Sequence, residues 1–490
     1  LKSLTGELVM RDLRRVFTLI LISVASYAAA AGDETKQSFQ PPSTRTVSGT
    51  EIVHFKSGPV PVDLSTTTIA ALVPNESGGY KVLTGNGTSS GTFTIPNVPS
   101  GFYLLQIGAV YVWTSNTVVD ADSIADYRSD IVQADPSTTT VTLDLTNLHS
   151  WQQTDLLELF CPNNTAFDFF PGTVGETTFT GTFPYSGALS VGSEGDQYYI
   201  AQLITQNLGS YAFTGLGRYL APPKFTQAQG SNTPIDGRLR TIARNHQFEA
   251  NIDGADIGAQ VLAANPGAVL DSAGIFLDVY PGSFAHGQNT STPDLVIYSA
   301  PPAPFITTNS DLGPISYGNP YPSKWPLYAT YSWTAQTNYL APGATNGAPM
   351  LTEAFGSTLT LPTSTSPIKP LAGVVSSPSV NHKNFFTDQS GIGTAPTLRW
   401  SPPSEGSANN YVVRIYQLFN NAGNTVISLI AGFRTQGKSL IVPPGVLSSG
   451  QAYFFLIQSD YIPGVNFAKT PFMNGSTSAL AQVTSGVMQP

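Results

Sequence analysis

Histidine, carboxylate, serine and aromatic side chains are the groups through which this chain could do chemistry or hold a ligand. Its five histidines, His54, His149, His246, His286 and His382, stand far apart, with no His-x-His or His-Glu-x-x-His pattern. Folding could bring two of them to a carboxylate; singly, each reads as a turn or surface residue. Asp120, Asp122, Asp126, Asp130 and Asp135 could offer oxygens to Ca²⁺, a hard ion that takes about six to eight of them. Their spacing lacks the Gly and terminal Glu of an EF-hand loop, so a solvated turn is the default reading. Asn251-x-Asp253-Gly254-x-Asp256 is a second oxygen-rich turn. It makes Asp253 and Asp256 the candidate metal ligands, against the backbone role that Asx residues serve in turns.

Gly87-Thr88-Ser89-Ser90-Gly91 has the form Gly-x-Ser-x-Gly. A nucleophile elbow needs a strand before the serine and a helix after it; here a turn precedes and a strand follows, so no catalytic serine is expected. The densest aromatic run is Tyr317–Trp333, with Tyr317, Tyr321, Trp325, Tyr328, Tyr331 and Trp333 among prolines at 320, 322 and 326. If exposed, Tyr317, Tyr321, Trp325, Tyr331 and Trp333 could stack on sugars or on a Pro-rich chain, and they are the candidate binding residues. If packed, they close a core, which is the reading the prolines of a fixed loop favour.

The elements that must position these residues are short strands. Gly91–Ile107 alternates Phe93 and Ile95 with Thr92 and Thr94, stops at Pro96, turns through Asn97–Gly101, and leaves through Tyr103 and Leu105. Ser439–Ile457 repeats the device of strand, Pro, turn, Gly, Tyr, strand. Pro cannot continue a ladder, Gly supplies backbone freedom, and Tyr brings an apolar ring with a polar tip, as at the corners of β-sandwiches. Further strands are expected over 51–55, 68–73, 80–83, 102–112, 139–145, 155–160, 177–183, 197–204, 210–213, 274–279 and 295–299. One short helix is expected at Ala259–Ala264.

The 490 residues exceed one core, so several domains are expected. Charged residues make up 11%, against roughly a quarter in an average domain, while 45 Gly and 38 Pro accompany 41% apolar residues. That balance reads as short strands with many turns. A net charge of −9 argues against a nucleic-acid partner, whose phosphates demand a basic face. The lone Cys161 excludes an internal disulfide, and export without disulfides is commoner in bacteria than among animal secreted proteins. Met10 is the better start, followed by Arg11, Arg14 and Arg15, an uncharged run at 16–27, and Ala28–Ala31. Those three parts make a secretory signal peptide cleaved next to Ala30 or Ala31, too short for a transmembrane anchor. The mature chain is expected to have no membrane span and to be secreted, periplasmic or at the cell surface.

Gly91-x-Phe93-x-Ile95-x-Asn97-Val98-Pro99-x-Gly101-x-Tyr103 resembles the transthyretin-like, carboxypeptidase-regulatory-type domain of bacterial secreted proteins. In that family the domain is an accessory module. Pro396-x-Leu398-x-Trp400-x-Pro402-Pro403, then Tyr411–Tyr416, then Leu447-x-x-Gly450-x-x-Tyr453-x-Phe455-x-Ile457 resemble a fibronectin type III domain. That resemblance implies an immunoglobulin-like sandwich with Trp400 in the core and a tyrosine corner at Tyr453; Ser449 stands where the family usually has Pro.

The expected fold is all-β and multidomain, built of antiparallel β-sandwiches. It comprises upstream residues and signal at 1–31, a lead-in at 32–45, and a transthyretin-like sandwich at 46–160. An irregular β middle at 161–356 follows, then a Ser/Thr/Pro-rich linker at 357–377 and a fibronectin type III-like domain at 378–490. The expected role is a non-catalytic surface, binding or structural protein with no cofactor, whose partner is an extracellular glycan or protein. The alternative is a secreted or envelope hydrolase of polysaccharide or peptide, with its active site in the middle region.

Overall fold

Alternation of apolar and polar residues sets most of the strands, and the backbone groups at their edges set how the strands join. The computed structural model describes residues 43–76, 78–124, 132–133, 138–162, 166–185, 187–208, 211–279, 294–300, 309–465, 472 and 479–490. The expected signal segment, His286, Asp126, Asp130 and Asp135 lie outside the described residues. The fold is all-β, with 57% of the described residues in strands and 4% in helix, so its cores must be built between sheets.

A sheet of 19 strands is the backbone of the molecule. Its first members are Tyr80–Thr84, Ile69–Pro74, Tyr103–Ile107 and Val110–Thr114, all antiparallel. Val110–Thr114 then pairs in parallel with Asn424–Thr435, matching Val110 to Gly432 and Val112 to Arg434. The sheet continues through Asn410–Asn421, Ala452–Tyr461 and Ala479–Thr484. Ala479–Ala481 pair with Gly356–Ala354, which carries the ladder on through Ala348–Thr358, Leu327–Tyr339, Val269–Val279 and Asp294–Ala300. Tyr211–Leu220, Tyr199–Leu208, Leu156–Cys161 and Ala166–Phe170 complete it.

Because successive side chains of a strand point to opposite faces, each end of this sheet feeds two cores. Leu72 and Leu104 face one core, while Ala71 and Leu105 face another beneath the sheet Thr44–Thr50, Asn86–Gly87, Thr92–Pro99 and Val118–Asp120. At the far end Phe160 and Tyr199 join the first core, while Leu159 and Ile200 pack on the sheet Thr140–Thr146, Thr178–Pro184 and Asn232–Arg238. Near the C-terminus, Val380, Leu398, Trp400 and Leu440 of the sheet Ser376–Val380, Lys383–Asn384, Thr397–Ser401 and Ser439–Ile441 cover Val413, Phe433 and Ile457. The layers are β-sandwiches that share one extended sheet.

Two elements differ from expectation for local reasons. The strand at Thr92 does not stop at Pro96 but runs to Pro99. Pro96 and Asn97 stand together opposite Thr46 in a bulge, where a missing N–H breaks no regular ladder bond, and Asn97 adopts a left-handed φ of 59°. The helix begins earlier, at Gly254, because the Asp253 side chain accepts the amide of Asp256 as an N-cap. Its buried Ile257, Val261 and Ala264 then lie on one face against the large core.

Both corner tyrosines are anchored. The Tyr103 hydroxyl donates to the Asn116 carbonyl at 2.7 Å, and the Tyr453 hydroxyl accepts the Ser448 amide at 3.0 Å. Trp400 lies 5.4 Å from Tyr411 in an edge-on contact and is buried. Trp400→Ala is therefore expected to destabilise the protein by about 3–5 kcal/mol, as aromatic truncations in cores do. Urea denaturation measures it, and an unchanged midpoint would mean that Trp400 contributes no core.

Candidate functional site

The isolated carboxylates hold the backbone in place, and two of the histidines lie beside them. Asp122 accepts the Ile52 amide at 3.0 Å through one oxygen and lies 3.2 Å from His54 Nε2 through the other. Asp155 accepts the amides of Gln152 and Thr205, both at 3.1 Å, and lies 4.0 Å from His149 Nδ1. Burial raises its pKa, and these hydrogen bonds pull the other way. His246 lies 5.5 Å from the Tyr317 ring, and His382 takes a left-handed turn conformation.

The candidate metal ligands Asp253 and Asp256 sit at the helix start. One Asp253 oxygen takes the Asp256 amide; the other is 3.9 Å from Lys369 Nζ. Burial and the neighbouring Asp253 raise the Asp256 pKa. Among the described residues no three His, Cys, Asp or Glu side chains gather as a metal site. The Gly87–Gly91 segment is a tight hydroxyl-rich turn, with Thr88 Oγ1 2.8 Å from both Ser90 Oγ and Thr92 Oγ1.

The structure places the Tyr317–Trp333 run inside the protein. Tyr331 and Trp333 lie on the strand Leu327–Tyr339 with 1% and 0% exposure, and Tyr317 and Tyr321 are buried too. The Tyr331 hydroxyl accepts the Leu371 amide at 2.8 Å, and its ring rests over Gly356, where a Cβ would come within 2.5 Å. Tyr321 is at the centre of a ring cluster, 5.3 Å from Tyr199, 6.1 Å from Tyr219 and 5.9 Å from Phe160. Trp325, 6.1 Å from Tyr321, is the half-buried member.

Two features were not singled out from the sequence. The first is a buried polar row across four strands of the long sheet. Glu353, Gln482 and Gln458 follow one another, with Gln482 Nε2 donating to Gln458 Oε1 at 3.0 Å and to Glu353 Oε1 at 3.4 Å. Arg414 donates to Gln458 Oε1 at 2.8 Å, and Asp460 accepts from Gln458 at 2.6 Å and Asn410 at 3.0 Å. Burial pushes the Asp460 carboxyl up to about 6 despite those bonds and the nearby Arg414 and Arg434. Burial pushes Glu353 up to about 7, with Arg414 opposing. The available signal was a charged residue inside an apolar strand of a chain that is only 11% charged.

The second is an aromatic face at the outer end of the same sheet. Val82, Leu72, Leu104 and Trp113 form one cross-strand row, and Tyr80, Pro74 and Phe102 flank it two residues along. Phe102 and Trp113 have ring planes 2° apart and centroids 6.1 Å apart. Phe102 and Val82 are each 51% exposed, and Trp113 and Tyr80 are half-buried. Arg45 reaches from the facing sheet to the carbonyls of Gly101 at 2.9 Å and Ser115 at 3.0 Å, next to Phe102 and just beyond Trp113.

No family model matches the chain, and no curated protein matches it. The crystal structure of chicken CNTN1 FN1-FN3 domains is similar over 79% of this chain and 98% of that one, at 9% identity and a TM-score of 0.13.

The polar row makes stability depend on pH. A carboxyl whose folded pKa is raised binds more protons folded than unfolded between its two values. Its stabilising share is full at low pH and falls as pH rises, from 3.8 toward about 6 for Asp460 and from 4.5 toward about 7 for Glu353. The slope is at most about 1.4 kcal/mol per pH unit for each group, and smaller for the part-exposed Glu353. Asp460→Asn is expected to flatten the fall in unfolding free energy across that window, whereas Asp144→Asn on the surface leaves it. A fall of equal slope in Asp460→Asn would contradict the assignment.

Trp333→Ala is expected to lower stability by about 3–5 kcal/mol, the scale of a fully buried indole. Thermal and urea denaturation read this, and an unchanged transition would place the ring at the surface.

Proposed function

We propose that the protein is an exported, non-catalytic binding or structural protein made of β-sandwich modules. The N-terminal module is transthyretin-like and the last is fibronectin type III-like. The observation that carries the reading is how the reactive side chains are used. Asp122, Asp155 and Asp253 each close a backbone turn or cap by accepting backbone amides, while Phe102 is exposed at the sheet end beside the half-buried Trp113. Carboxylates engaged by backbone amides are poor proton shuttles, since the bonds favour one protonation state.

The basic head, apolar run and Ala-rich end at 10–31 support export, with processing next to Ala30 or Ala31. Trp400 between the C-terminal layers and the Tyr453 corner support the fibronectin-like module. Expressed in a bacterial host, the protein is expected in the medium, the periplasm or protease-accessible on intact cells, with a mature N-terminus near residue 31. Recovery of a cytoplasmic chain that begins at Met10 would contradict export. Incubated with polysaccharides or casein, the purified protein is expected to release neither reducing ends nor peptides; steady release of either would favour a hydrolase.

A further inference from the structure

We infer that the edge strand Thr178–Pro184 pairs with the same strand of a second copy, joining two molecules through one antiparallel ladder. On one side the strand pairs with Thr140–Thr146 in an unbroken register of seven residues. Among the described residues no strand takes its other side. Its sequence, Thr-Phe-Thr-Gly-Thr-Phe-Pro, carries no charge, and none of its residues is buried. Free edges are usually blunted by a lysine, a mid-strand proline, a charge or a bulge. Other edges of this molecule use those devices. Asn232–Arg238, the opposite edge of the same sheet, carries Pro234, Asp236 and Arg238, and the edge Tyr80–Thr84 carries an exposed Lys81. Thr178–Pro184 has none of them before its last residue.

The strand's own symmetry selects a second copy as the occupant. Read outward from Gly181, the residues are Thr180 and Thr182, then Phe179 and Phe183. Set antiparallel about a two-fold axis at Gly181, two such strands place Thr180 opposite Thr182 of the second copy, and Phe179 opposite its Phe183. The hydrogen-bond phase agrees. The Tyr185 amide donates to the Thr139 carbonyl, which directs the backbone groups of Phe179, Gly181 and Phe183 to the Thr140–Thr146 strand. Those of Thr178, Thr180 and Thr182 therefore point into the open edge. In the symmetric pairing Thr180 and Thr182 of the second copy exchange both backbone bonds. Gly181 then meets Gly181 at a non-hydrogen-bonded pair, where the two chains lie closest.

Side chains fit the same arrangement. On the inner face Phe183 rests over Gly181, where a Cβ would come within 2.6 Å of the ring, and lies 5.8 Å from Phe179. Both rings are half-buried in one molecule, and the second strand brings two more against them. On the outer face threonine meets threonine. The Thr180 hydroxyl donates to Asp144 at 3.2 Å, and the Asp144 carboxylates of the two copies stand three strand spacings, roughly 14 Å, apart. The edge is roughly 23 Å long and one sheet-to-sheet spacing, about 10 Å, deep, which is below a standard interface. The dimer is therefore reversible and forms as concentration rises.

Sedimentation velocity of the full chain over a concentration series tests the pairing. It is expected to show a monomer passing into a species of twice its mass. Thr180→Pro removes an outward N–H and no bond to Thr140–Thr146, so it is expected to keep the thermal melt and lose the dimer. Thr182→Lys, which supplies the usual edge charge, is expected to do the same. Cysteines read the register, since Cα atoms of a hydrogen-bonded pair lie about 5.5 Å apart, within disulfide reach. With the native Cys161 buried, Thr180→Cys mixed with Thr182→Cys is expected to give a disulfide-linked dimer on mild oxidation, and neither alone. A mass that stays monomeric throughout the series would overturn the inference, as would a dimer that survives both Thr180→Pro and Thr182→Lys. Crosslinking of either cysteine variant alone would overturn the pairing about Gly181.

Discussion

Backbone hydrogen bonding at two strand edges is the constraint on which the whole molecule depends. A sandwich ends in strands whose outer N–H and C=O groups face water and invite pairing. Here the outer edge of Val110–Thr114 is taken by Asn424–Thr435, with the Gly432 amide donating to the Ala109 carbonyl at 3.0 Å. The outer edge of Ala479–Thr484 is taken by Ala348–Thr358. Each junction is only three residue pairs long, yet each converts an exposed edge into an inner position. Tyr111 stacks on Phe433 across the first junction at 4.5 Å, so side chains reinforce the ladder.

Continuity of the sheet explains where polarity goes. One face at its middle carries the Glu353–Gln482–Gln458–Asp460 row, with Arg414 and Asn410 bonded into it. Such a row tolerates burial because its members hydrogen-bond to one another, and the same burial holds the carboxyls above their usual range. At the outer end of the opposite face Leu72 and Leu104 are buried in the large core, Trp113 packs half-buried against it, and Phe102 at the rim is exposed. The position of a ring along one shared sheet thus decides whether it closes a core, as Trp333 does, or meets solvent, as Phe102 does.

Local signals carried the strands well and their partners poorly. Alternation at 92–95 and the strand expected at 139–145 were visible, as were the corner tyrosines at 103 and 453, because each depends on a few neighbouring residues. The helix was recognised at 259–264 and its true start missed, since Asp253 looks the same as a cap and as a metal ligand. The run 102–112 read as one strand, but a left-handed Gly108 folds it into a hairpin. Pairing Val110 with Gly432 joins residues more than three hundred positions apart, and no local pattern encodes that choice. The Tyr317–Trp333 rings left two readings open, platform or core with core favoured, because ring type says nothing about which face a strand turns to water; Tyr317, Tyr321, Tyr331 and Trp333 are buried. Trp113 gave no cluster in the sequence because its partner face is assembled from four separate strands.

Hydrogen exchange on the intact protein tests the shared sheet most directly. Paired across a junction, the amides of Val110–Val112 and Gly432–Arg434 are expected to exchange as slowly as those of the inner strand Ala452–Tyr461, and together with them under rising denaturant. Fast, denaturant-independent exchange at these six residues, with the inner strand protected, would mean that the sandwiches meet only through side chains and that the continuous sheet does not exist.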